Sequence, residues 1–330
     1  MELRVRNVLE ALHRGTTAIQ LHGVSIDSRN GRTLEIAEPV YTIYQAPMER
    51  VLVSPDRDAN PFLHFFESLW MLQGREDLAF LRMFTKNFDK YSDNGATMQG
   101  SYGMRWRGWF GFDQLNTLVD LMKKDPNTRR AVLQMWDPKF DLLLHPGSSD
   151  IPCNTTIYFK LRDGKLNMTV CNRSNDMIFG AYGANAVHMS FLQEYIAGRL
   201  GVQVGNMIQQ SDSFHVYLDG PGGEVWKRVQ EGHSYNRLWL DPYVWHRETY
   251  PYPMFYQTTP YAVDRDLAVF FQRFDDDNKI GYMDFLTPFF KFVVTPMYLA
   301  HQTRDIDTAR LISAPDWRKA CVEWLERRVK

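Results

Sequence analysis

Asp150-Ile151-Pro152-Cys153-Asn154-Thr155-Thr156-Ile157-Tyr158-Phe159 is the stretch from which the rest of the chain is read. A proline precedes a single cysteine, and the run that follows is rich in β-branched and aromatic residues, the composition of a strand. The thiol is therefore expected at the mouth of a strand, held in place and not carried on a loop. Further on lies a second dense polar stretch, Asn172-Arg173-Ser174-Asn175-Asp176, and then a glycine-rich segment ending in Asn185. A fixed thiol beside an arginine, a hydroxyl and a carboxylate makes a nucleophile with an anion-binding neighbour.

The chain as a whole narrows the chemistry. Its 330 residues are enough to bury a sizeable core, as one large domain or two. Hydrophobic residues at 44% and charged residues at 23% are ordinary for a soluble globular protein. The formal net charge of −1 gives no global field to recruit nucleic acid, so an anionic ligand must be small and met by local arginines. The 3 cysteines, Cys153, Cys171 and Cys321, are too few and too irregular for a disulfide framework or a zinc site. No metal is expected, and a reducing compartment is. With no apolar run long enough to span a bilayer, and no apolar signal-peptide core at the N-terminus, the protein is expected in the cytoplasm.

Along the chain, residues 1–21 read as a short amphipathic helix followed by a strand. Residues 27–32 have turn composition, and 33–44 alternate like one strand. The arginines of that turn are either solvated turn charges or part of a loop that closes on a phosphate. Asn60-Pro61-Phe62 opens an apolar helix through Leu72, with Asn60 as N-cap and Pro61 in the first turn. Glu67 lies inside it, either on a wet face or buried for a reason; helical spacing does not choose. Residues 114–124 are helical, and Arg129-Arg130 lead into a strand over 131–136, where neighbouring side chains point to opposite faces. Residues 159–171 read as a hairpin around Asp163-Gly164, and 186–200 as a long apolar helix stopped by Gly201. Residues 210–217 read as a short strand with His215 and Tyr217 on one face. Composition shifts after Gly220. Residues 1–220 are read as a catalytic domain, and 221–330 as a mainly helical C-terminal extension packed on it. The acidic run Asp275-Asp276-Asp277-Asn278 lacks the glycine and distal glutamate of a calcium loop and reads as a solvated turn.

Taken together and in order, these clusters resemble the thymidylate synthase family. The similarity spans residues 25–217. It rests on Glu67-Ser68-Leu69-Trp70-Met71-Leu72-Gln73-Gly74, Tyr102-Gly103-Met104-Arg105-Trp106-Arg107, residues 125–130, Pro152-Cys153, Arg173-Ser174-Asn175-Asp176 and residues 212–217. The resemblance implies an α/β (α+β) fold: a large mixed sheet at a homodimer interface, helices over its other face, and a C-terminal helical addition. It also implies roles. Cys153 would add to C6 of a pyrimidine nucleoside monophosphate, making C5 a carbon nucleophile that captures the one-carbon unit of 5,10-methylenetetrahydrofolate. Arg173, Ser174 and Arg29 would hold the 5′-phosphate, with Asn175 beside them in the substrate site. Arg129 and Arg130 would reach the neighbouring subunit's phosphate. Cationic neighbours would lower the pKa of Cys153. His215 and Tyr217 would hold the sugar hydroxyl, Glu67 and Tyr102 would organise water and move protons, and Asp176 would contact the folate pterin.

The chain also departs from the family pattern. Asn154 stands where the family has a histidine after the cysteine. Gly180-Ala181-Tyr182-Gly183-Ala184-Asn185 is one residue longer than its counterpart, so either Asn185 or Ala184 takes the pyrimidine-reading position. An asparagine amide there suits O4 and N3 of uracil, whereas a cytosine reader would carry aspartate. In Asn87-Phe88-Asp89-Lys90-Tyr91, Phe88 falls where the family places a tryptophan that shields the exocyclic methylene for hydride transfer. The short apolar closing tail is replaced by a long extension ending in Arg327-Arg328-Val329-Lys330. Both changes favour water as terminal acceptor, and so a 5-hydroxymethylase of dUMP, dCMP or CMP. The alternatives are a thymidylate synthase turning dUMP into dTMP, or an inactive nucleotide- or RNA-binding homologue. Near-neutral charge and the retained Cys153 speak against the last, and no nucleic-acid or membrane partner is expected. Base and sugar stay open, with uracil favoured by Asn185.

Overall fold

The computed structural model describes residues 1–28, 30–143, 148, 150–234, 241–245 and 248–329. Its strands are β1 Glu2–Val5, β2 Val24–Ser28, β3 Gly31–Ile36, β4 Val40–Tyr44, β5 Val132–Gln134, β6 Asn154–Arg162, β7 Lys165–Asp176 and β8 Gln203–Tyr217. The helices of the first half are α1 Val8–His22, α2 Pro61–Gln73, α3 Leu78–Leu81, α4 Tyr102–Arg107, α5 Gln114–Lys124 and α6 Pro138–Asp141. Those of the second half are α7 Asn185–Leu200, α8 Gly220–Ser234, α9 Pro242–Trp245, α10 Pro260–Asp275, α11 Thr295–Thr303, α12 Ile306–Arg310 and α13 Pro315–Glu326.

The run after Cys153 is a strand, as its β-branched composition predicts. It forms a hairpin with β7, closed by Asp163 and Gly164, both at positive φ (50° and 71°). Two left-handed residues match the twist of the flanking strands, which is why Asp-Gly serves here. The sheet is mixed, in the order β1-β4-β8-β7-β6-β5. β8 is its spine. It runs parallel to β7 along one edge, and on the other pairs antiparallel first with β4 and then with β3.

Three sequence expectations are corrected by this topology. The single strand over 33–44 is two strands, β3 and β4, interrupted at Pro39, which lacks the N–H a ladder needs. The short strand over 210–217 is the end of the much longer β8, whose first half carries Gly205 and Asn206, residue types depleted in strands. A strand, β1, precedes the first helix and pairs parallel to β4; at four residues it is too short to show a period.

Helix α2 positions the site. Asn60 caps it by accepting the Leu63 N–H at 3.2 Å, and Gly74 closes it in the left-handed region at φ 83°. Phe62, Phe65, Phe66, Leu69 and Trp70 bury it on nearly every side, so it is a core helix. The C-terminal helices supply much of that wall: Trp317 meets Phe65 at 5.0 Å, Phe270 meets Phe66 at 5.8 Å, and Trp324 meets Phe62 at 5.6 Å between ring centroids. The opposite face of the sheet is left partly open by the described residues. There Val132 and Tyr158, partners across β5 and β6, are 42% and 44% exposed, and Tyr41 is 41% exposed. The acidic run at 275–278 is solvated, with Asp275 paired to Arg75 through two bonds of 2.7 Å. No helix among the described residues is long and apolar enough to cross a membrane.

Helix α4 rests directly on α2, because Gly103 has no side chain. A Cβ there would lie 2.4 Å from the Met71 carbonyl oxygen, which is backbone and cannot swing away. Gly103→Ala is expected to lower the unfolding free energy by about 1–3 kcal/mol, an overpacking penalty. Urea unfolding of the variant against the parent checks it.

Candidate active site

Helices α2 and α4, the loop before β6, the start of α7 and the turn Asn87–Lys90 surround one open cavity of about 170 Å³. Its polar side carries Glu67, Tyr102, Asp150, Cys153, Asn185 and His188. Its apolar wall is Trp70, Met71, Leu81, Phe88 and Met98.

Cys153 sits where the loop becomes β6, and Arg173 on β7 ties that loop down. The Arg173 backbone N–H donates to the Cys153 carbonyl at 2.9 Å. Its Nε donates to the Pro152 carbonyl at 2.9 Å, and its Nη2 to the Ile151 carbonyl at 3.0 Å. The guanidinium also lies 5.7 Å from the Trp136 ring centroid and is exposed on its outer side. The thiol departs from expectation. Burial pushes its pKa up, Arg173 pulls it down, and Asp150 and Asp176 push it up again; the net shift is upward. A cationic neighbour is present and is outweighed by the low-dielectric surroundings.

Tyr102 opens α4 behind its N-cap, Ser101, whose hydroxyl accepts from the Met104 N–H at 3.4 Å. Burial, with Cys153 second, lifts the phenol far above its usual value, while the Cys153 and Asn154 backbone N–H groups pull the other way. It stays a neutral hydroxyl at physiological pH. Glu67 is buried, so the dry reading of its place on the helix is the right one. Its Oε2 lies 3.2 Å from His188 Nε2, off the direction of a hydrogen bond, so that nitrogen has no hydrogen-bond partner among the described residues. His64 stands edge-on to His188 at 6.4 Å, and burial holds it well below the ordinary histidine pKa.

A line of amides runs behind the cavity. Asn185 Nδ2 donates to Asn175 Oδ1 at 3.0 Å, and Asn175 Nδ2 donates to Ser211 Oγ at 3.0 Å and Gln209 Oε1 at 3.3 Å. Asn185 and Ala184 both line the cavity, and Asn185 is the polar one. The segment before them, Met177–Ala184, is a widened π-helical turn kinked at Tyr182 and Gly183, and the Asn185 N–H reaches back to the Gly180 carbonyl. Asp176 caps it, Oδ1 accepting the Ile178 and Phe179 N–H groups at 2.7 Å each. Burial pushes the Asp176 carboxyl up, against the pull of His215 and Arg57.

The other sequence-predicted residues fall into two groups. Ser174, half-buried, faces Ser213 across β7 and β8. His215 and Tyr217 meet edge to face at 5.4 Å, with His215 Nδ1 3.0 Å from Ser213 Oγ, which donates to Glu35 Oε2 at 2.6 Å. Burial raises the Tyr217 phenol, and a hydrogen bond with Asn30 opposes it, so the β2–β3 turn approaches this corner. Arg29, in that turn, lies outside the described residues. Arg129 and Arg130 are exposed ahead of β5, and neither lines the cavity.

Sequence reasoning missed three residues. His188 lies one helical turn after Asn185, on the same face, so periodicity held that signal. Asp150 stood in the first stretch quoted and was passed over. Arg57, whose Nε donates to the Ile178 carbonyl at 2.9 Å and whose guanidinium lies 4.5 Å from the Phe179 ring centroid, sits in a loop that carries no period. Burial lowers it to about 10. Among the described residues no group of His, Cys, Asp and Glu could hold a metal ion.

A family model described as thymidylate synthase matches residues 45–239. A protein of Pseudomonas phage M6 named deoxyuridylate hydroxymethyltransferase is 41% identical, over 99% of this chain and 94% of its own length. Two more of that name, from Bacillus phage SP01 and Delftia phage PhiW-14, are 38% and 30% identical. The first spans 62% of this chain and 56% of itself, the second 64% and 60%.

Arg173 is the cationic neighbour that draws the Cys153 pKa down, so removing its charge should raise that pKa. In Arg173→Gln the midpoint of the pH profile for iodoacetamide labelling of Cys153, read by peptide mass mapping, is expected to move to higher pH. An unmoved midpoint would mean that the guanidinium acts only as a clamp.

Proposed function

The chain belongs to the thymidylate synthase family, and from that premise we propose that it transfers a one-carbon unit from 5,10-methylenetetrahydrofolate to C5 of deoxyuridine 5′-monophosphate, with water as terminal acceptor. The observation that carries this reading is a single cavity in which Cys153, Tyr102, Glu67 and Asn185 face an apolar wall containing Phe88. The likeness to the full-length phage relative favours uracil and deoxyribose.

The Cys153 sulfur adds to C6, and the C5=C6 electron pair moves onto C5 and O4. Because the free thiol is held protonated, it needs a base as substrate arrives; the neutral Tyr102 hydroxyl and the Glu67 carboxylate are the groups within the cavity placed to pass protons. Asn185, oriented by Asn175, presents its amide to O4 and N3 of the base. Arg173 and Ser174 take the 5′-phosphate on the exposed side of the guanidinium, with Arg29 from the turn. His215 and Tyr217 take the sugar hydroxyl. Arg129 and Arg130 complete the phosphate site of a second subunit, and the partly open apolar face of the sheet supports the homodimer that this requires.

The apolar side chains Trp70, Met71, Phe88 and Met98 suit a heteroaromatic ring system such as a pterin, with Asp176, outside the cavity lining, as its expected polar contact. Methylenetetrahydrofolate supplies carbon at the oxidation level of formaldehyde, so transfer to water needs no hydride. We read residues 221–330 as an extension of the same unit, since their tryptophans pack on α2. The free thiols Cys153, Cys171 and Cys321 suit a reducing, cytoplasmic setting.

Incubation with methylenetetrahydrofolate and dUMP, dCMP, UMP or CMP in separate tubes, followed by mass spectrometry, is expected to add one CH2O unit to dUMP. A gain of CH2 instead would make the protein a thymidylate synthase. Cys153→Ser is expected to lose turnover while nucleotide binding persists; more than trace product from it would remove the covalent mechanism.

A further inference from the structure

The cavity holds a second carboxylate for which the reaction so far has no task. Asp150 is separated from Cys153 only by Ile151 and Pro152, lines the same cavity and is 7% exposed. It is held by backbone and not by a cation. The Gly100 N–H donates to Oδ2 at 2.9 Å, and the Gln99 N–H also reaches the carboxylate. The close approach depends on glycine, for a Cβ at residue 100 would lie 2.6 Å from Oδ1. Two donors leave part of a carboxylate's four lone-pair directions free.

The charged groups that bear on it are few. Asp93 pushes its pKa up. Arg105 pulls it down, though that guanidinium is bound to Asp141 at 3.0 and 2.9 Å. The same cavity is lined by Cys153, Tyr102, Glu67 and His188. Of these, Glu67 faces His188, and Tyr102 faces the backbone of Cys153 and Asn154. The Ser101 hydroxyl is turned away onto the Arg75 carbonyl at 2.6 Å. Asp150 is therefore the cavity's ionisable side chain that meets only backbone donors, in a cavity whose apolar lining includes Phe88 and Met98.

We propose that Asp150 is the base that holds and deprotonates the water which ends the reaction. This rests on water being the terminal acceptor. At that stage the pyrimidine carries an exocyclic C5=CH2 and is still bonded to Cys153 through C6. One proton of the water passes to Asp150, and the oxygen pair forms a C–O bond to the exocyclic carbon. The C5=CH2 pair moves onto C5 and O4, then re-forms C5=C6 as the C6–S bond breaks. The leaving thiolate takes the proton back from Asp150. One water is consumed and nothing is oxidised or reduced.

Two features suit Asp150 to the step. Burial lifts its carboxyl to about 6, so it is mostly ionised at neutral pH yet basic enough to accept a proton. Its charge also raises the pKa of Cys153, so its protonation during water attack eases departure of the thiolate in the next step.

The test uses Asp150→Asn, which keeps an oxygen for Gly100 but cannot take the proton, with C5-tritiated dUMP and methylenetetrahydrofolate. Tritium leaves C5 before water enters. The variant is expected to release one burst of tritium per site at near the parent rate, then to form hydroxymethyl product about 10²-fold more slowly, with the nucleotide adduct visible on the intact protein. Product formed within threefold of the parent rate, or loss of the burst together with the product, overturns the proposal.

A readout without folate accompanies it. Removing the charge should move the pH midpoint of Cys153 labelling downward, and an unmoved midpoint also overturns it. If Asp150→Asn does not fold, Asp150→Ala carries the test: formate in solution should speed its product formation, and failure to do so counts against Asp150. The parent's product is weighed in parallel. A CH2 gain there sinks the water-acceptor reading itself, whereas a CH2O gain with an unaffected variant sinks only the role of Asp150.

Discussion

The three bonds that Arg173 makes to the backbone of residues 151–153 are what the site is built on. A nucleophile must be held near its attacking position, because every degree of freedom left to it is lost in the transition state. The loop before β6 has no ladder of its own, so the neighbouring strand lends it donors. The hairpin register sets this up: with Asn154 opposite Asn172, Arg173 comes level with the cysteine carbonyl. The same side chain keeps its outer edge exposed, free for an anion, so one arginine both fixes the thiol and offers charge to a ligand.

Enclosure weighs on four of the ionisable groups around it. Burial is the largest influence on Cys153, Tyr102, Asp150 and Asp176, and in each it favours the neutral form. Cys153 and Tyr102 therefore keep their protons until a substrate brings charge and hydrogen bonds of its own. This is a different design from a cysteine kept permanently ionised by surrounding cations.

Much of this was legible in the chain because it is local. Asn60-Pro61, the Asp163-Gly164 turn, the helix over 114–124 and the strand after Cys153 are each dictated by a few neighbouring residues, and each is found where the sequence puts it. The failures are non-local. That Glu67 is buried depends on α2 being walled by Phe270, Trp317 and Trp324, far away in the chain. The sign of the Cys153 shift depends on how much protein surrounds it, which a list of charged neighbours does not reveal. Arg57 reaches the Met177–Ala184 turn from a loop with no repeat to betray it. Asp150 was in plain view, but a lone carboxylate before a strand is unremarkable until its walls are known.

The widened turn over Met177–Ala184 bears on how the backbone can take up one residue more than a regular helix would. A strand cannot take up one extra residue without sending every later side chain to the wrong face. A regular helix would rotate its whole downstream stripe. A π turn accommodates the newcomer within a single loop of backbone and hands the chain back in phase. Asn185 follows directly on that turn and opens the helix whose next turn carries His188, so both side chains reach the same cavity.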